Sequence, residues 1–147
     1  FVSADSQSSS QIGDICKFQN VNLLTPTEHE ARISTKNKDD GIVILSELVR
    51  KQANAKNVLL KLGSEGVLIN SSKEKNIEIL TDRIISLNKT PKDFAGAGDS
   101  MLIVSSMAQK LSKNIWLSSY LGSLAAAVQI SRVGNIPITA EDLLSNL

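Results

Sequence analysis

Short unbroken apolar runs alternate along the chain with stripes in which apolar residues recur every three or four positions. The first pattern predicts buried strands and the second predicts amphipathic helices. Phe1-Val2-Ser3-Ala4-Asp5 reads as a strand running into a polar Ser/Gln loop at 6–11. Val21-Asn22-Leu23-Leu24 reads as a second strand, stopped by Thr25-Pro26. Thr27 and Glu30 have capping-box spacing and open a helix. Asp39 or Asp40 is expected to cap the next helix, whose apolar stripe of Ile42, Leu45, Leu48 and Val49 ends near Ala53. Val58-Leu59-Leu60-Lys61-Leu62 predicts a buried strand, Gly63-Ser64-Glu65-Gly66 a turn, and Val67-Leu68-Ile69 the return strand. Residues 77–80 and 84–87 suggest two further short strands before a loop over 88–97.

From Asp99 onward, Met101, Val104, Ser105, Ala108 and Leu111 predict a helix that buries a narrow face. A second helix is expected over 115–130, where Gly122-Ser123-Leu124-Ala125-Ala126-Ala127 is slim enough for close packing or for a flat ligand. Thr139 caps a last short helix with Glu141 and Asp142 in its first turn. Early alternation of strands and helices, a hairpin in the middle and a helical end point to an α/β layered fold with a mostly parallel sheet. Ligands in such sheets sit at the carboxyl ends of strands, where the loops after Leu24, Leu62 and Leu87 are expected.

Composition narrows the function classes. The 147 residues fit one domain by length, and 41% hydrophobic residues support a buried core. Sixteen basic against fifteen acidic residues lack the basic stripe of a nucleic-acid binder, and 3% aromatics offer few stacking platforms. Cys16 is the sole cysteine, so an internal disulfide and a multi-cysteine zinc site are excluded, and a reducing cytoplasm is the default expectation. No apolar run approaches the length of a membrane span, and no signal-like N-terminus is present. Because the sequence opens directly in a strand, it is expected to be a fragment of a longer fold.

The run Asp93-Phe94-Ala95-Gly96-Ala97-Gly98-Asp99-Ser100 carries the candidate chemistry. Gly96 and Gly98 permit dihedrals that turn successive amides inward, and a helix opening there would aim unpaired N–H groups and positive dipole at one point. Asp99 beside that point could accept the proton of an alcohol attacking a phosphoryl group. The run is neither G-x-x-x-x-G-K-[ST], since no lysine follows Gly98, nor G-x-G-x-x-G, since Met101 replaces the third glycine. As a bare motif it reads first as an Asp-capped loop before a helix, and only the rest of the chain can reverse that preference.

Three segments in order resemble the ribokinase-like (PfkB) carbohydrate kinase family. They are Leu24-Thr25-Pro26-Thr27-Glu28-His29-Glu30-Ala31, Lys61-Leu62-Gly63-Ser64-Glu65-Gly66, and Asp93 through Ser100, which is similar to the family signature D-x-T-G-A-G-D-[ST]. Ala125-Ala126-Ala127 followed by Arg132-Val133-Gly134 is similar to the family's closing helix and loop. The resemblance implies a ribokinase-like layered fold of which residues 1–147 are the C-terminal, nucleotide-binding and catalytic half. The Leu23-Leu24-Thr25-Pro26 phrasing and the ending Ile138-Thr139-Ala140-Glu141-Asp142-Leu143 look closest to the heptose-phosphate kinase branch.

Carried over position by position, the resemblance implies Asp99 as general base and the Gly96, Ala97 and Gly98 amides as the anion hole. It implies Glu30 in organising magnesium, Lys61, Gly63 and Gly66 along the nucleotide phosphates, and Ser123 near the adenine. Asp93, with carbonyls around 132–134, falls where many members bind a monovalent cation, but Ala95 stands where Thr is usual and Thr27 stands where Asn is usual. The implied partners are ATP and a sugar or sugar phosphate, without nucleic acid or membrane, and a homodimer is left open. His29, the only histidine, has no second histidine or cysteine with which to share a metal, and Trp116 reads as a packing anchor. The rival readings are a non-catalytic nucleotide- or partner-binding fragment and a nucleoside or vitamin kinase of the same superfamily.

Overall fold

A computed structural model describes residues 1–7, 13–72 and 80–147. The chain divides into two compact units, Phe1–Gly63 with Val67–Arg83, and Ser64–Gly66 with Ile84–Leu147.

The first unit is built on a sheet whose strands lie in chain order: β1 (Ser3–Ala4), β2 (Leu23–Leu24), β3 (Asn57–Lys61), β4 (Val67–Ser71) and β5 (Leu80–Ile84). β1, β2 and β3 run parallel, with Ala4 opposite Leu24 and Leu24 opposite Val58. β4 returns antiparallel to β3, pairing Lys61 with Val67 after a 3-10 turn at Gly63–Glu65. Strands buried on both faces need unbroken apolar runs, as in Val58, Leu59 and Leu60, all fully buried. Helices α1 (Glu28–Thr35) and α2 (Ile42–Gln52) cover one face, closing a core of Ile15, Leu24, Ala31, Leu45, Val49, Val58 and Leu60.

The α/β expectation therefore holds, while several boundaries move. β1 and β2 keep only two residues each of the predicted runs, because flanking positions pair outside a regular ladder. α2 is capped by Gly41 without a side-chain hydrogen bond, and neither Asp39 nor Asp40 serves. Asp40 is drawn backward, accepting from the Asn37 amide at 2.7 Å. No separate strand forms at 84–87: Ile84 ends β5 and the backbone then leaves regular structure. Of the strand expected over 77–80, only Leu80 lies among the described residues, as does only the start of the loop expected over 6–11.

The second unit is helical. α3 (Ala97–Ser112) and α4 (Ile115–Ile130) pack along each other, and α5 (Ala140–Leu144) follows, capped by the Thr139–Asp142 box. Asn114 opens α4 by accepting from the Trp116 and Leu117 amides. The helices cross closely at Gly122, where a Cβ would overlap Ser105 Oγ and stand 3.0 Å from the Met101 carbonyl oxygen. Gly122→Val is therefore expected to destabilise the fold by about 1–3 kcal/mol, the usual cost of overpacking. Urea denaturation of the full chain reads this directly, and an unchanged midpoint would contradict the close crossing.

Candidate active site

Gly96 caps α3 in the left-handed region at φ 76°, and a glycine cap provides no side chain to occupy the helix's first amides. The Ser100 N–H donates to the Gly96 carbonyl at 2.9 Å, which makes Ala97, Gly98 and Asp99 the first three helical residues. The helix thus starts two residues before the sequence expectation. This shift matters chemically, because the Gly98 and Asp99 amides lie in the first turn and point along the helix axis, where the dipole favours an anion. The Ala97 N–H reaches back to Phe94 O at 3.3 Å. Asp99 itself is exposed at this terminus.

The loop entering α3 is held by a hydrogen-bonded knot. The Ala95 N–H donates to Asp93 Oδ1 at 3.0 Å and the Gly134 N–H to Asp93 Oδ2 at 2.9 Å. These two amides, Ala95 first, hold the Asp93 carboxyl below its ordinary range. From the last turn of α4, Gln129 Nε2 donates to Ala95 O at 3.1 Å and to Gly134 O at 3.2 Å. The Lys92 N–H donates to Ile130 O at 2.7 Å. A Cβ on Gly96 would meet the Asn135 carboxamide, an exposed side-chain end that can move aside, so the firm reason for glycine there is its left-handed dihedral. Gln129 escaped the sequence reading, since a glutamine in an apolar helix carries no motif. Its 1% exposure is the signal that structure adds.

In the first unit, Asp5, Glu30 and Lys61 lie at the carboxyl ends of the parallel strands. Lys61 Nζ meets Asp5 Oδ2 at 2.6 Å, across 56 residues of sequence. Burial raises the Asp5 carboxyl above its usual value, the Lys61 ammonium works against that rise, and the charge of Glu30 adds to it. The expected capping box forms: Glu30 Oε2 accepts from the Thr27 N–H at 2.7 Å, and Thr27 Oγ1 from the Glu30 N–H at 3.2 Å. Glu30 is buried, and its second oxygen lies outside that box. Gly63 is open and left-handed at φ 59°, with space where a side chain would stand. In the second unit, Gly66 has a packing reason, because a Cβ there would overlap the Ile84 carbonyl oxygen.

Ser123 is buried, with its hydroxyl unpartnered among the described residues. The cavity of about 440 Å³ in the second unit is lined by Asn88, Tyr120, Leu124, Ala127 and Ser131 among others, and Ser123 is not part of its wall. Burial, with Asp14 adding to it, pushes the Cys16 thiol up to about 11, which removes it as a thiolate nucleophile at neutral pH. His29 is exposed. Among the described residues no group of three or more His, Cys, Asp or Glu side chains could hold a metal ion, and no helix is long and apolar enough to cross a membrane.

The sequence profile described as "pfkB family carbohydrate kinase" matches residues 2–141. The "Bifunctional protein HldE" of Campylobacter curvus is 29% identical over 83% of this chain, which spans 25% of that relative. The crystal structure of ribokinase from Thermotoga maritima superposes with a TM-score of 0.73 at 27% identity, over 88% of this chain and 43% of that one. Phosphofructokinase-2 from Escherichia coli in complex with potassium superposes with a TM-score of 0.74 at 16% identity, over 88% of this chain and 41% of its own, a likeness of fold.

Because the Asp93 carboxyl lies below its unfolded value, its contribution to stability is present above about pH 4 and lost as pH falls through the folded value. Asp93→Asn is expected to be less stable than the wild type near neutrality, with the gap closing as the solution is acidified. Urea midpoints across that range check it, and a gap independent of pH would contradict the assigned bonds.

Proposed function

The chain belongs to the pfkB family of carbohydrate kinases, and on that premise we propose that it is the nucleotide-binding and catalytic part of a kinase that transfers phosphate from ATP to a hydroxyl of a sugar or sugar phosphate. It spans less than half of the ribokinase it superposes on and about a quarter of the bifunctional relatives, so the reading concerns the intact protein. The observation that carries it is the glycine-capped N-terminus of α3 with Asp99 in its first turn.

The Asp99 carboxylate accepts the proton of the acceptor hydroxyl as its oxygen attacks the terminal phosphorus. The bond from that phosphorus to the bridging oxygen breaks, and the nucleoside diphosphate leaves. The first-turn amides of Gly98 and Asp99, with that of the cap Gly96, donate to the transferring oxygens as their charge redistributes, and the Ala97 amide joins them by giving up its long bond to Phe94 O. Catalysis of this kind is positioning plus electrostatics, which explains why the helix terminus must be rigid before the substrates arrive. For the first unit, the resemblance supports Gly63 and Lys61 as nucleotide-phosphate contacts: Gly63 leaves open space where a side chain would stand, and the Lys61 ammonium is already held by Asp5. Ser123 remains the candidate for the adenine side on the strength of its unpartnered hydroxyl.

Magnesium binds characteristically through one or two carboxylates completed by waters and substrate phosphates. The second oxygen of Glu30, left outside the capping box, fits that mode, and no closed protein cage is needed. Glu30 would hold such an ion, which would supply positive charge against that of the nucleotide phosphates. The acceptor we favour is a sugar phosphate of the heptose-phosphate kind, to which the Leu23-Leu24-Thr25-Pro26 phrasing is closest. A non-catalytic role for this half alone is the second reading, favoured by the share of the relatives it leaves uncovered.

In the intact protein, Asp99→Asn is expected to lower turnover by about 10²–10⁴-fold, the range of a lost general base, while nucleotide affinity stays near wild type. Coupled ADP release with a panel of sugars, run beside nucleotide binding, separates the two quantities. Equal turnover in the two proteins would sink the assigned base, and nucleotide binding without sugar-dependent turnover would favour the second reading.

A further inference from the structure

We propose that the Gln129 carboxamide is a built-in substitute for the monovalent cation that the family resemblance places beneath the N-terminus of α3, so that this chain holds its catalytic loop without potassium. The inference concerns the same site as the proposed function, but the network it rests on exists whether or not Asp99 is a base.

Four oxygens converge where the loop entering α3 meets the loop leaving α4: both carboxylate oxygens of Asp93 and the carbonyls of Ala95 and Gly134. Such a concentration of negative ends repels itself unless something positive lies among them. An oxygen-ligated cation is one solution. This chain uses N–H donors at every one of the four: the Ala95 and Gly134 amides on the carboxylate, and the two hydrogens of Gln129 Nε2 on the two carbonyls.

A primary carboxamide suits this place because its nitrogen carries two donors and can bridge two acceptors at once. Gln129 is 1% exposed and rooted in the last turn of α4, so its amide is delivered from a rigid element. Its orientation follows from the acceptors, since a turned amide would set Oε1 against two carbonyl oxygens. Arg132 does not provide the positive charge instead. Its two terminal nitrogens go to Asp142 at 3.3 Å and to the carbonyls of Ile136 and Pro137, and its buried Nε has no partner among the described residues.

The consequence is a split between this chain and cation-dependent kinases. A bound ion can come and go, whereas the amide is always present. The loop is thus preset, with Ala95 fixed immediately before the Gly96 cap. Gln129 acts through that loop and is a positioning residue, not a catalytic one. The one exception to a complete network is Gln129 Oε1, which has no partner among the described residues and would become a cation ligand if the amide turned.

Thermal unfolding of the full chain in potassium chloride and in N-methylglucamine chloride, at matched ionic strength, tests the proposal without any substrate. The wild type is expected to melt at the same temperature in both. Gln129→Ala removes the bridging donor and is expected to melt lower in N-methylglucamine and to regain roughly 3 °C or more specifically in potassium. A merely structural glutamine would give a loss with no preference between the two salts, and that result would overturn the substitution role. A potassium-specific rise in the wild type would overturn it as well, indicating a turned amide around a bound ion. Should Gln129→Ala fail to fold, the wild-type comparison decides alone. Failure of the Asp99→Asn experiment with salt-indifferent wild-type melting would reject the proposed base and leave this inference standing.

Discussion

The carboxylate of Asp93 bonded to the backbone amides of Ala95 and Gly134 is the constraint on which the candidate site depends. It joins two loops separated by the whole length of α3 and α4, and it does so immediately before the Gly96 cap. Without that tie, a glycine cap would be the least determined point of the second unit, because glycine gives up the most conformational freedom on ordering. With it, and with Gln129 bracing the same loops, the first turn of α3 presents its amides in one direction. The preorganisation that the proposed phosphoryl transfer would demand thus comes from hydrogen bonds behind the first turn itself.

The first unit solves a different electrostatic problem. Its parallel strands end together, which gathers Asp5, Glu30 and Lys61 at the carboxyl end of the sheet. Burying a carboxylate is costly unless it is paired, and the Lys61 ammonium meets that need for Asp5 while the Thr27 amide meets part of it for Glu30. The pairing gives Lys61 a definite structural duty. Any contact it makes with phosphate draws on an ammonium already committed to Asp5.

Local signals were the legible ones. The Thr27–Glu30 box, the extent of α4 and the Thr139 cap each lie within a few residues and emerge as expected. The ordered segments at 24–31, 61–66 and 93–100 were sufficient to name the family, and the profile match over 2–141 confirms that placement. Errors arose where a local rule had a competitor. Asp39 and Asp40 look like caps, but Asn37 captures the Asp40 carboxylate and Gly41 takes the cap position. The start of α3 was misplaced because Gly96 and Gly98 are weak helix formers on either side of Ala97, and the knot behind them supplies the order that propensity does not. The Asp5–Lys61 pair and the Gln129 bridge were invisible, since partners 56 and 34 residues apart share no period or motif.

The central claim is that the first turn of α3 is an anion site prepared before ligand arrives. Backbone amide spectra of the full chain, recorded by ¹⁵N NMR during titration with inorganic triphosphate, test it most directly. The account predicts the largest shifts at Gly98 and Asp99, with Asp93, Ala95 and Gly134 nearly unmoved because their bonds are already made. Saturating shifts elsewhere with α3 silent, or a loop that orders only as triphosphate binds, would contradict it.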